Sequence, residues 1–138
     1  MKLFGGDKKS GPLRAPIDIF VDPIKNQFFV TDKENHRVCI FSLLHEGRIQ
    51  FISSFGSEGE EDGQFDNPWG ITGSPNGQLL ALTDCYNHRV QIFDRAGHFL
   101  RKYSDFLDRK LGVKEVVLSW PKGITFDKSG NNILFERS

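Results

Sequence analysis

The sequence predicts an all-β fold, an incomplete β-propeller of four-stranded antiparallel blades with about two and a half blades present. Three observations carry this. Proline recurs at Pro16, Pro68 and Pro121, spacings of 52 and 53 residues, each followed three positions on by isoleucine: Ile19, Ile71 and Ile124. Counted from its own proline, Thr31-Asp32 shares an offset with Thr83-Asp84, and Asn35-His36-Arg37-Val38 with Asn87-His88-Arg89-Val90, after which Phe41 matches Phe93. Each copy also breaks into four short runs rich in Phe and β-branched residues, the number of strands in a propeller blade.

In chain order the first copy gives strands at 17–21, 27–31, 37–41 and 48–55, punctuated by Asp22-Pro23, Asn35 and Gly47. The second repeats them at 70–73, 78–83, 89–93 and 98–103. Clean polar alternation is scarce in these runs, as expected where blades stack and both sheet faces are covered. The 13 phenylalanines therefore read as packing material. Asp32, Asn35, Asp84 and Asn87 stand where the second strand of a copy turns into the third. There an aspartate can accept from backbone amides two residues on and an asparagine tolerates the left-handed conformation, so they read as turn residues. Any helix is expected only within 104–114.

The repeat divides the chain into the tail of a preceding blade at 1–12, a repeat at 13–64, a second at 65–117 and the start of a third at 118–138. A closed ring needs at least about four blades, roughly 210 residues at this spacing. The chain is thus expected to be a fragment of one propeller domain. An open arc exposes strand edges and apolar faces, so self-association is expected of it.

Composition narrows the function. Lys plus Arg number 18 and Asp plus Glu 18, so no net field draws the chain to nucleic acid or an anionic membrane, and any such attraction must be local. No apolar run exceeds four residues, against about 20 for a membrane span, and the amino end lacks a signal-peptide core. Cys39 and Cys85 form no CxxC pair and no zinc-spaced cluster, which suits free thiols in a reducing compartment, and a cytoplasmic location is expected.

The Thr-Asp-x-x-Asn-His-Arg-Val block, "FGSEGEEDGQFDNPWGI" (55–71) and "VQIFDRAGHFLRKY" (90–103) resemble NHL repeats, most closely those of the tripartite-motif NHL proteins. The resemblance covers nearly the whole chain. It is weakest over 104–117, and Glu136-Arg137 stand where Thr-Asp recurs elsewhere. It implies a six-bladed ring following RING, B-box and coiled-coil segments, and a loop face that binds RNA to repress messages or recruits proteins.

His36 and His88 repeat radially and do not converge on one site, so they read as turn-capping residues more than as metal ligands. No Ser or Cys has a base nearby in sequence, which gives nucleophilic catalysis no support. The glycines at 56, 59 and 63 are interrupted by Glu58, Glu60, Glu61 and Asp62, an acidic connector unsuited to cradling phosphate. Arg37 and Arg89 open the third strands, where an ion pair with Asp32 or Asp84 competes with a ligand-facing role.

Basic and aromatic residues interleave on the loops into each innermost strand and on the turns after each second strand: Arg14, Lys33, His36, Arg37, Trp69, Tyr86, His88, Arg89, Trp120 and Lys122. Cations and flat rings can hold unstacked bases. The expected function is a non-enzymatic module binding single-stranded or hairpin RNA, or a protein, with no DNA, membrane, metal or cofactor. The alternatives are a substrate-recruiting platform of a RING-type ubiquitin ligase and a metal-dependent propeller lyase.

Overall fold

A computed structural model of the chain describes residues 11–22, 24–104 and 120–137. Among the described residues ten strands form in sequence order. The first sheet holds β1 (Pro16–Asp22), β2 (Gln27–Asp32), β3 (Arg37–Leu43) and β4 (Ile49–Phe55), hydrogen-bonded in that order. The second holds β5 (Pro68–Gly73), β6 (Leu79–Asp84), β7 (Arg89–Asp94) and β8 (Phe99–Ser104), with the same order and antiparallel sense. A hairpin of β9 (Pro121–Phe126) and β10 (Ile133–Arg137) follows. These are two propeller blades and the first two strands of a third, in an arc that does not close. The sheets lie within a residue or two of the runs read from sequence, while the expected helix lies mostly outside the described residues.

Alternation on β2, β3, β6 and β7 explains how the blades stack. Phe29, Val38 and Ile40 point from the first blade into one cluster with Ile71, Leu80, Leu82 and Phe93 of the second, joined by Phe65. Their sequence neighbours point the other way: Val30, Cys39 and Phe41 to the far face of the first blade, and Ala81, Val90 and Ile92 to the hairpin's Ile124, Phe126 and Ile133. Middle strands thus bury both faces, which is why they lack polar alternation. Phe29, Phe41, Phe65 and Phe93 are the largest fully buried side chains. β1 differs, since Ile19 and Val21 are 52% and 62% exposed.

Charged contacts also cross the junction between the two blades. Arg95, in the β7–β8 turn, pairs with buried Asp22 at the end of β1. Asp18 reaches across to accept the Ile71 N–H through Oδ2 at 3.0 Å. Among the described residues no helix is long and apolar enough to cross a membrane.

Candidate functional site

The loop face is built around the recurring proline. Each innermost strand starts with a bulge: Pro16 pairs with Asp32 and Ile19 with Val30, and likewise Pro68 with Asp84 and Ile71 with Leu82. The two residues between, Ile17-Asp18 and Trp69-Gly70, lose their ladder partners, so their polar groups need others. Thr31 and Thr83 supply them. The Thr31 hydroxyl accepts from the Asp18 N–H (3.0 Å) and donates to the Trp69 carbonyl of the next blade (2.7 Å). Thr83 accepts from the Gly70 N–H and donates to the Lys122 carbonyl, both at 2.7 Å.

The residue before each proline is left-handed, with φ of 54° at Ala15, 55° at Asn67 and 52° at Trp120. That conformation costs an L-residue roughly 1–2 kcal/mol. At the two junctions a histidine of the preceding blade meets the strained amide: Nδ1 of His36 accepts from the Asn67 N–H (3.2 Å) and Nδ1 of His88 from the Trp120 N–H (3.1 Å). The histidines are themselves left-handed, at φ 51° and 52°. They cap the start of the next blade, and the left-handed role that the sequence suggested for Asn35 and Asn87 falls to them.

Asp32 and Asp84 also differ from the expected Asp turn. Their Oδ1 atoms accept amides 18 residues upstream, from Arg14 (2.6 Å) and Asp66 (2.8 Å), not two residues on. Their Oδ2 atoms accept from Asn35 and Asn87, at 2.8 and 2.9 Å, and from Nε of Arg37 and Arg89, at 2.8 and 2.7 Å. Burial is what pushes the Asp84 carboxyl above its ordinary pKa, against the pull of Asn87, the Asp66 amide and Arg89.

Arg37 and Arg89 are engaged within this turn constellation. Arg89 is buried, donating to Asp84 and to the carbonyls of Glu60, Glu61 and Gln64. Arg37 holds Asp32 and the Gly11 carbonyl, with its side chain 13% exposed. Both tie the connector into a blade to that blade's turn, a strong geometry for a forked guanidinium. Gln91, unmarked in the sequence reading, is fully buried beside them and bonds Asp84, Gln64 and Gly63. Its one signal was a polar side chain among Val90, Ile92 and Phe93.

Of the remaining predicted residues His36 is the cap on the Asn67 amide, and the others fall into two groups and one outlier. Lys33 of the first blade and Lys122 of the hairpin both lie over the ring of Trp69, with Nζ 5.0 and 4.5 Å from its centroid. Among the described residues neither ammonium meets a carboxylate within ion-pair distance. The second group stacks Trp120 edge-on against Tyr86 (4.9 Å) and His88 (5.1 Å), leaving Tyr86 46% and Trp120 44% exposed. Beside it opens a cleft of about 520 Å³ lined by Tyr86, His88, Glu60 and Lys102 among others. Arg14 stands apart, paired loosely with Glu34 at 3.9 Å.

Cys39 and Cys85 are fully buried, and burial pushes the Cys39 thiol up to about 11 and the Cys85 thiol in the same direction, so neither ionises near neutral pH. Among the described residues no three His, Cys, Asp or Glu side chains come together as metal ligands would. The rings and ammonium groups can stack on planar groups and attract anions.

Residues 65–93, which run from the connector through β7, match the NHL repeat family model. The chain carries an NHL repeat. It is 31% identical over 127 residues to the protein brain tumor of Drosophila melanogaster, covering 91% of this chain and 11% of that protein. Over 49 residues it is 41% identical to the E3 ubiquitin-protein ligase TRIM71 of Gallus gallus, 36% of this chain and 6% of the ligase. It is also 34% identical over 129 residues to peptidyl-glycine alpha-amidating monooxygenase A of Xenopus laevis, 91% of this chain and 13% of that enzyme. The NHL chain thus spans a small part of each relative. Among solved structures it superposes on Kuenenia stuttgartiensis hydrazine synthase with a TM-score of 0.69 at 15% identity, covering 98% of this chain and 32% of that one, which speaks for the propeller fold alone.

Proposed function

We propose that this NHL-repeat segment is a non-enzymatic binding module that takes single-stranded or hairpin RNA on its loop face. The observation that carries the reading is the pair of ammonium groups, Lys33 and Lys122, brought from neighbouring blades onto Trp69 with no carboxylate to neutralise them among the described residues. On a chain of zero net charge such a local concentration attracts a phosphate without a general affinity for polyanions. Tyr86 and Trp120, exposed nearby on the second junction, supply rings on which bases can stack, each worth about 1–3 kcal/mol. Arg89 and Arg37, spent on Asp84 and Asp32, are not counted among the ligand contacts.

The competing reading, a protein-recruiting platform of the kind a ubiquitin ligase would carry, draws on one observation. The exposed connector residues Glu58, Glu60, Glu61 and Asp62 border the same face and repel phosphate. Salt dependence separates the two. RNA affinity measured across a salt series should fall with a slope that flattens by about 0.7 in Lys122→Ala, since one single-strand phosphate contact is lost, while Trp120→Ala weakens binding at unchanged slope. If the parent chain fails to bind RNA at low salt but captures a protein through these loops, the platform reading replaces this one.

A further inference from the structure

We propose that Thr31 and Thr83 are positioning residues for recognition: each holds, through its hydroxyl, the backbone of the ligand-facing residue in the blade that follows. This rests on the loop face being the binding surface. The Thr31 hydroxyl donates to the carbonyl of Trp69, and that of Thr83 to the carbonyl of Lys122, each at 2.7 Å across a blade junction. Trp69 and Lys122 are the ring and one of the two cations of the ammonium–indole group. Both threonines are fully buried, and their hydroxyls otherwise bond the bulge itself: the N–H groups of Asp18 and Gly70 and, for Thr31, the Asp18 carbonyl at a longer 3.3 Å.

Each junction is pinned at two points. His36 holds the amide of Asn67 and Thr31 the carbonyl of Trp69, one on either side of Pro68; His88 holds the amide of Trp120 and Thr83 the carbonyl of Lys122, on either side of Pro121. Proline fixes its own φ between these anchors. The three-residue segment therefore has little freedom, and the direction in which Trp69 or Lys122 leaves the backbone is set by the preceding blade. Recognition at one blade is built by its neighbour, a division of labour that a stacked repeat permits because every blade meets the next in the same way. It also explains why Thr recurs at a fully buried position where valine would pack as well in an apolar core.

Two measurements test this. Binding of a labelled polyuridine RNA to the chain is compared for Thr83→Val, Lys122→Ala and the double variant. Acting through Lys122, Thr83→Val should weaken binding about two- to tenfold, Thr83→Ser should restore it, and Thr83→Val should add nothing in the Lys122→Ala background. Additive losses, the mark of a general structural role, would overturn the proposal. The second measurement needs no RNA. The chain has two tryptophans, so Trp120→Phe leaves Trp69 as the sole indole, and iodide, drawn by Lys33 and Lys122, should quench it more than neutral acrylamide does. Thr83→Val should lower that preference towards the value in Lys122→Ala, and an unchanged preference contradicts the proposal. If polyuridine does not bind the parent while iodide quenching responds as expected, the RNA reading fails and the positioning role stands. Should Thr83→Val not fold, Thr31→Val at the first junction is read by the same quenching of Trp69.

Discussion

Asp84 collects four donors at a point with no solvent: the Asp66 amide, Asn87, Arg89 and Gln91. Removing it leaves the Arg89 guanidinium, itself buried, without its counter-charge. Asp84→Ala is therefore expected to cost about 3–5 kcal/mol, whereas Asn87→Ala, which forfeits bonds to Asp84 and the Gly59 carbonyl near the surface, should cost about 0.5–1.5 kcal/mol. Denaturant unfolding of both variants checks the ranking, and equal losses would contradict it. At this scale the sequence marked a recurring set of residues but not all their partners. Asp, Asn and Arg recur at fixed offsets, which marks a constellation. That the acid meets an amide 18 residues upstream depends on how the incoming connector folds back, which no local pattern encodes.

The strands were legible because each is bracketed by turn residues and filled with Phe, Val, Ile or Leu, and two copies in one chain made the reading self-checking. The bulges were not. Nothing in Pro-Ile-Asp-Ile or Pro-Trp-Gly-Ile signals two residues slipping out of register, and so the recurring threonine had no visible purpose before the partners of Asp18 and Gly70 were seen. The hairpin turns carry their own prediction. Bonds from Ser129 and Asn132 hold the Asp127 carboxyl down to about 2, and the His98 amide and ring hold Asp94 below its ordinary range. A carboxylate depressed in the folded state stabilises it above the unfolded pKa of about 3.9 and ceases to as pH falls through the folded value. The β9–β10 turn should thus lose amide protection between about pH 4 and pH 2, read by hydrogen exchange. Equal protection at both ends of that window would count against the turn geometry.

At the scale of the whole molecule the blades are joined by packed Phe, Leu and Ile and by a few backbone contacts that tolerate no intrusion. Gly70 is the sharpest case, since a methyl group on its Cα would run into the Lys122 carbonyl that Thr83 holds. Gly70→Ala should then force the second blade and the hairpin apart at about 1–3 kcal/mol, seen as a lowered denaturation midpoint, and a neutral substitution would show that the junction can yield. The general position of the loop face followed from the repeat, but its division into used and available cations did not. Arg89 and Lys122 look equally suitable in sequence, and only burial separates them: the first is enclosed by three carbonyls and a carboxylate, the second lies over an indole ring.

Recognition of RNA by the uncommitted cations and rings, with the arginines confined to structure, is tested most directly by backbone and indole chemical-shift mapping on addition of a short single-stranded RNA at low salt. The expected result is a patch of perturbed resonances at Lys33, Trp69, Tyr86, Trp120 and Lys122 that shrinks as salt is raised, with the Arg37 and Arg89 side-chain signals unmoved. No perturbation, or one centred on β4 and β8 at the outer edges of the blades, would contradict it.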